Sequence, residues 1–217
     1  MIEYFELFWK YLPVLLVGLK LTLIIAFWGI FISVIIGIFL CILSISKNKV
    51  LEQIANVYIT VVRGIPLMIL ALFLYFGVIK NSMSTNNAAI LILAINASAY
   101  MAEIFRAGVQ AIDYGQTEAA RSLGLSYFQT MRKIILPQAI KIMIPSLMNQ
   151  GISSLKDTAI LSAITVNELT LTTKVIIARN YKAFELYSFA AIIYLIVIIF
   201  LTYLSKQVER KTNYNQR

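Results

Sequence analysis

Leu21 to Ile45 and Leu186 to Ser205 carry no charge at all. A helix needs roughly 20 consecutive apolar residues to cross the hydrocarbon core of a bilayer. Both stretches meet that length, so the chain reads as an all-α integral membrane protein. Composition agrees, since 60% of the 217 residues are hydrophobic and 13% charged, against roughly 25% charged in soluble domains. The length fits one domain.

The net charge of +9 suits a membrane protein, whose cytoplasmic loops favour Lys and Arg. No basic run with interleaved aromatics suggests a nucleic-acid surface, and no nucleic-acid partner is expected. The sequence has no histidine. Histidine-based acid–base, proton-shuttle and metal chemistry are thereby excluded, and no cofactor is expected. Cys41 is the single cysteine. It cannot form an intrachain disulfide, and within an apolar run it reads as inert packing. Glu3 and Glu6 make the N-terminus acidic, unlike a signal peptide. The aromatic-rich segment Tyr4 to Tyr11 suits a short helix on the membrane surface, so residues 1–13 form an expected interfacial segment. Residues 14–206 form the membrane domain, and 207–217 a cytoplasmic tail.

Five spans are expected: Val14 to Ser44, about Gln53 to Ile79, about Ala88 to Val109, a weak fourth around Ile142 to Leu155, and Leu186 to Ser205. The fourth is too short alone and is interrupted by Pro145 and Gly151, so by hydropathy it could be re-entrant or buried. Charge decides the count. With the N-terminus outside, the inner segments hold ten Lys and Arg: Lys47, Lys49, Arg106, Arg121, Arg132, Lys133, Lys206, Arg210, Lys211 and Arg217. The outer segments hold five: Lys10, Lys80, Lys174, Arg179 and Lys182. That asymmetry follows the positive-inside rule. Four spans would put the C-terminal basic cluster on the N-terminal side, so five spans, N-out and C-in, fit better.

Glu118-Ala119-Ala120-Arg121-Ser122-Leu123-Gly124-Leu125-Ser126-Tyr127-Phe128-Gln129, continuing to Ile134-Ile135-Leu136-Pro137, is the most informative segment. Ala119, Ala120, Arg121 and Leu123 favour helix, and Gly124 suits the left-handed position that ends one. Ser126 and Gln129 make a capping box that opens the next helix, expected to stop at Pro137. Glu118 and Arg121, three residues apart, share a face. The pattern could be an amphipathic loop packing on its own protein. Its spacing, however, resembles the EAA loop of binding-protein-dependent ABC importer permeases: Glu-Ala-Ala, three residues, Gly, nine residues, Ile, one residue, Leu-Pro.

The flanks are similar to the polar amino acid subfamily: Arg63-Gly64-Ile65-Pro66-Leu67, Ser98 to Gly108, Gly115 to Gly124, Leu136-Pro137-Gln138-Ala139 and Leu155-Lys156-Asp157-Thr158. Ile144-Pro145-Ser146 and Asn167-Glu168-Leu169 depart mildly from the pattern. The resemblance implies a type I ABC importer transmembrane domain in the bacterial cytoplasmic membrane. It implies a second permease chain, identical or paralogous, and two cytoplasmic ATPase subunits, each gripping one loop through Glu118, Ala119, Ala120, Arg121 and Gly124. An extracytoplasmic binding protein would deliver the amino acid. The sequence itself has no Gly-rich phosphate loop with Lys-Ser/Thr, so ATP hydrolysis is assigned to a partner and the chain is not expected to be an enzyme. A secondary transporter or channel would explain charged spans but not the loop spacing.

Intramembrane charge normally faces a partner or a polar cavity. Glu103, Asp157, Arg63 and Lys156, with Asn96, Ser98, Ser153 and Ser154, are therefore candidate pathway residues. Structural roles remain open, including a pair between Glu103 and Arg106 one turn later and snorkelling of Lys156. A zwitterionic substrate needs both signs of partner. Lys156, Arg63 or helix N-terminal amides could take its carboxylate, Glu103 or Asp157 its ammonium. Family members for uncharged and acidic substrates share these acidic positions, so they do not identify the substrate, and the preference for a basic amino acid is slight. By helix rise, Glu103 lies roughly 22 Å along the third span, and Asp157 towards the opposite half, so they need not share a pocket.

Overall fold

A computed structural model describes residues 2–79 and 82–214. Lys80 and Asn81 of the expected polar turn, and residues 215–217 of the tail with Arg217, lie outside the described residues. All regular structure among those described is helical.

Helix α1 runs unbroken from Ile2 to Ser44, 43 residues with Pro13 inside it. The separate surface helix expected before residue 14 is instead the first three turns of α1. An internal proline costs about 3 kcal/mol. Packing offsets it, for Tyr4 and Phe8 lie edge-on to Phe189, with ring centroids 4.7 and 5.1 Å away. At about 1.5 Å per residue, α1 is roughly twice as long as the ~30 Å hydrocarbon core.

The expected second span is broken. Helix α2 (Lys49–Gly64), capped by Asn48 Oδ1 on the Val50 amide at 3.0 Å, ends where Ile65 turns extended (φ −97, ψ 130). Pro66 enforces this, because a residue before proline avoids helical geometry. Helix α3 (Leu67–Leu72), with a π-helical continuation Phe73–Ile79, leaves at 108° to α2. Helix α4 (Thr85–Gln110) follows.

The loop then folds as the local signals direct. Helix α5 (Tyr114–Ser122) ends at Gly124, whose φ is +80. There the Leu125 amide donates to Ala120 O at 3.2 Å and the Gly124 amide to Arg121 O at 3.0 Å, the pattern of a Schellman motif. Ser126 and Gln129 form both arms of the capping box that starts α6 (Tyr127–Thr130). Helix α6 does not stop at Pro137, however. A π-helical turn, Met131–Ile135, carries it into α7 (Leu136–Asp157). Proline is tolerated in a first helical turn, where the missing amide costs least, and the Gln138 side-chain amide donates to Ile134 O at 2.8 Å. After α7 come a 3-10 segment, Thr158–Ile164, then α8 (Leu169–Asn180) and α9 (Ala183–Tyr214).

Helix α4 is the centre of the bundle. Ala88, Ala89, Ala94, Ala97, Ala99 and Ala102 on it are fully buried. Small residues there let α1 approach closely. The α1 glycines complete the fit: a Cβ on Gly29 would lie 2.7 Å from Leu93 Cδ2, and one on Gly37 2.7 Å from Met101 Cβ. A second core joins α1, α8 and α9 through Leu15, Leu169, Ile176, Leu186 and Phe189. The outward faces of α1 and α9 remain apolar, with Phe27, Phe31, Ile35 and Phe39 on one and Leu195, Ile196, Ile199 and Phe200 on the other exposed. Among the described residues, three helices are long and apolar enough to cross a membrane: Tyr4–Ser44, Thr85–Gln110 and Ala183–Lys211. The number rises to five if each bent pair counts as one span: α2 with α3, and Tyr127–Ile164 with α8, the latter bent by 47°.

Candidate functional site

Asn56, Thr60 and Arg63 repeat at helical spacing along α2, and Tyr100, Glu103 and Arg106 do so along α4. The two faces meet in an open groove of about 580 Å³, lined by these six residues with Ile59 and Gly64. Its centre is an ion cluster. Arg106 grips both Glu103 oxygens, with Nε 3.0 Å from Oε1 and Nη2 3.0 Å from Oε2. Arg63 reaches across from α2, its Nη1 3.1 Å from Glu103 Oε2. The Arg63 guanidinium also lies 5.3 Å from the Tyr100 ring centroid, within cation–π range. Two guanidinium groups therefore face one carboxylate. Gly64 ends α2 just beyond Arg63, so the C-terminal helix dipole favours the cation there.

Of the candidate pathway residues, only Arg63 and Glu103 line this groove. Ser98 is fully buried in the α2–α4 contact, where its Oγ donates to Ile95 O at 2.8 Å and lies 2.9 Å from Tyr58 Oη. Asn96 is buried on α4 and does not line the groove. Ser153, Ser154, Lys156 and Asp157 sit near the C-terminal end of α7 and do not line the groove. Ser154 is buried and accepts from Gln150 Nε2 at 3.3 Å, Asp157 is half-buried, and Lys156 is exposed.

Asn56, Thr60 and Tyr100 are not among the residues that intramembrane charge singles out, although each keeps helical spacing with Arg63 or Glu103. Glu168 belongs to the variant motif Asn167-Glu168-Leu169. It is fully buried and caps α8: Oε1 accepts from the Leu171 amide at 2.8 Å, Oε2 from the Thr170 amide at 2.8 Å and from Tyr194 Oη at 2.9 Å. Three donors satisfy this carboxylate in a structural role. The adjacent Leu169 amide donates to Thr22 Oγ1 at 3.2 Å, tying α8 to α1.

The α5–α6 turn presents a different surface. Glu118, Ala119 and Arg121 are exposed, whereas Ala120 is buried. Arg121 Nη1 donates to Leu125 O at 3.2 Å, bracing the turn around Gly124. Beside these charges Tyr114, Leu123 and Phe128 are 72%, 83% and 70% exposed. Large apolar side chains left in the open are a feature of interaction surfaces.

Comparison with known proteins agrees with this architecture. A crystal structure of an amino acid ABC transporter with histidines superposes with a TM-score of 0.88 at 41% identity, covering 93% of this chain and 95% of that one. The probable amino-acid ABC transporter permease protein YckA of Bacillus subtilis is 39% identical over 184 residues, 84% of this chain and 81% of its own. The glutamine transport system permease protein GlnP of Escherichia coli is 37% identical over 210 residues, 94% of each chain. Residues 29–214 match the family described as binding-protein-dependent transport system inner membrane component. The chain, a helical membrane protein with an Arg63–Glu103 groove and an exposed helix–turn–helix, belongs to that family.

Proposed function

We propose that this chain is the permease subunit of an ATP-driven ABC importer that translocates polar amino acids delivered by an extracytoplasmic binding protein. It spans the membrane five times, N-out and C-in, in the type I arrangement, and pairs with a second permease chain. Two cytoplasmic ATPase subunits drive the pair, each holding one α5–α6 turn as a coupling helix. The carrying observation is that turn, with Glu118 and Arg121 exposed beside Leu123 and Phe128. An isolated channel has no use for such a surface, whereas a docked ATPase covers it. The amino-acid permease names of the relatives support the substrate class.

The groove between α2 and α4 is assigned to substrate. Its Arg63 and Glu103 offer both signs of charge that a zwitterion requires. Ser153, Ser154, Lys156 and Asp157 on α7, with Asn96 and Ser98 on α4, are assigned to further stretches of the pathway. The test is purification of the tagged chain from its native membranes, with identification of copurifying proteins. An ATPase subunit is the expected companion. Recovery without one would return the chain to the class of self-sufficient secondary transporters or channels.

A further inference from the structure

Resting on the assignment of the α2–α4 groove to substrate, we propose that the groove recognises the free backbone of the amino acid, whose zwitterion inserts between Arg63 and Glu103. The α-carboxylate takes Arg63, the α-ammonium takes Glu103, and Arg106 holds Glu103 in place throughout.

The two guanidinium contacts to Glu103 differ in kind. Arg106 lies on the same helix one turn on and bonds both carboxylate oxygens at 3.0 Å. That fork is local to α4 and survives any rearrangement of its neighbours. Arg63 comes from α2 and contributes a single nitrogen at 3.1 Å. Its side chain is the most exposed of the three, 42% against 37% for Arg106 and 27% for Glu103. It also has a second support in the Tyr100 ring at 5.3 Å. Arg63 is therefore the partner that can exchange, and a guanidinium has five donors in a fork that fits a carboxylate.

Charge then selects the ligand. Parting an ion pair inside a membrane is costly unless each half regains a partner. An anion alone would serve Arg63 and leave Glu103 short of a contact. A cation alone would serve Glu103 and enlarge the positive excess of the cluster. A zwitterion supplies both partners and leaves the net charge of the groove unchanged. Its two charged groups flank a single carbon, so it bridges a pair that has opened only slightly. Asn56 and Thr60 line the same groove and offer uncharged hydrogen-bonding groups to the side chain. Recognition of the backbone by charge and of the side chain by neutral groups suits a carrier of several polar amino acids. It also removes the slight preference for a basic amino acid, because Glu103 is occupied by the α-ammonium.

The test is calorimetric binding to the purified permease–ATPase complex, without binding protein so that its selectivity does not intervene. The probes are L-glutamine, L-glutamate and L-arginine, with the α-carboxamide and Nα-acetyl derivative of each. For every free amino acid that binds, blocking either end should weaken binding by about tenfold or more. Arg63→Ala should no longer distinguish free acid from amide, and Glu103→Gln should no longer distinguish free amine from acetyl derivative. If either variant fails to assemble, the wild-type comparison decides. Blocked probes that bind wild type within about twofold of the free amino acids overturn the proposal. Asn56→Ala and Thr60→Ala separate that failure from failure of the site. Weakened binding in these variants, with blocked probes still equal, keeps the site and rejects insertion. Unchanged binding in both, or no binding of any free amino acid to wild type, rejects the site and the proposal with it.

Discussion

Arg63 on α2 and Glu103 on α4 meet at 3.1 Å, forty positions apart in the chain. The bond ties α2, at its last turn before the 108° bend, to the buried central helix. A pair at a hinge that also borders an open groove can couple occupancy of the groove to the angle of the bend.

Glu103→Gln keeps shape and removes charge, leaving Arg63 and Arg106 without an anion. Breaking a fully buried pair costs about 3–5 kcal/mol. Here the partners are 42% and 27% exposed, and solvent screening lowers the figure to about 1 kcal/mol. Uptake in reconstituted vesicles should fall by about tenfold or more, while assembly persists and detergent melting shifts by only a few degrees. Wild-type uptake with normal melting would assign Glu103 to structure and make Asp157→Asn the next variant to measure.

Topology is tested by single cysteines in a Cys41→Ala background. With the N-terminus outside, Met83 lies outside and Ser126 inside; both are exposed in the fold. An impermeant thiol reagent added to intact cells should label Met83→Cys and spare Ser126→Cys until the membrane is opened. Equal labelling would reject the five-span, N-out arrangement.

Coupling is tested at the exposed turn. Glu118→Lys should replace attraction by like-charge repulsion, worth several kcal/mol at a close interface. Leu123→Asp should remove the most exposed apolar contact. Either variant should insert normally and lose copurification of the ATPase or transport-coupled ATP hydrolysis. Full coupling in both would deny this turn its role.

Helix packing predicts a purely structural defect at Gly37. Its Cβ would lie 2.7 Å from Met101 Cβ and 3.2 Å from the Ala102 amide nitrogen, so the contact cannot be relieved by a side-chain rotation alone. Gly37→Val should destabilise by about 1–3 kcal/mol, measured as a lower melting temperature. An unchanged melting temperature would mean that α1 and α4 sit farther apart.

Glu168→Ala should cost about 1–2 kcal/mol through the lost cap of α8 and leave Tyr194 without its carboxylate partner. Glu168→Gln, which retains an acceptor oxygen, should recover part of that loss in the same melting assay. Equal stability of both variants and wild type would show that the cap contributes nothing.

Apolar runs, turn residues and loop spacing made much of this chain legible in its sequence, because each acts over a few neighbouring residues. Leu21 to Ile45 and Leu186 to Ser205 required membrane helices by length alone. Gly124 and the Ser126–Gln129 box specified the α5–α6 turn through local hydrogen bonds. Three features lay beyond those local signals. Helix α1 passes Pro13 because Phe189, far along the chain, accepts the rings of Tyr4 and Phe8. The chain passes Pro137 without stopping because a π-helical turn absorbs it. The groove arises because α2 stops at Gly64 and lies against α4, giving Glu103 a second cation that no local spacing revealed. Neighbouring residues set the torsions and the apolar periods. Which helix faces meet depends on the volume and charge of residues tens of positions apart, and only the tertiary structure decided that.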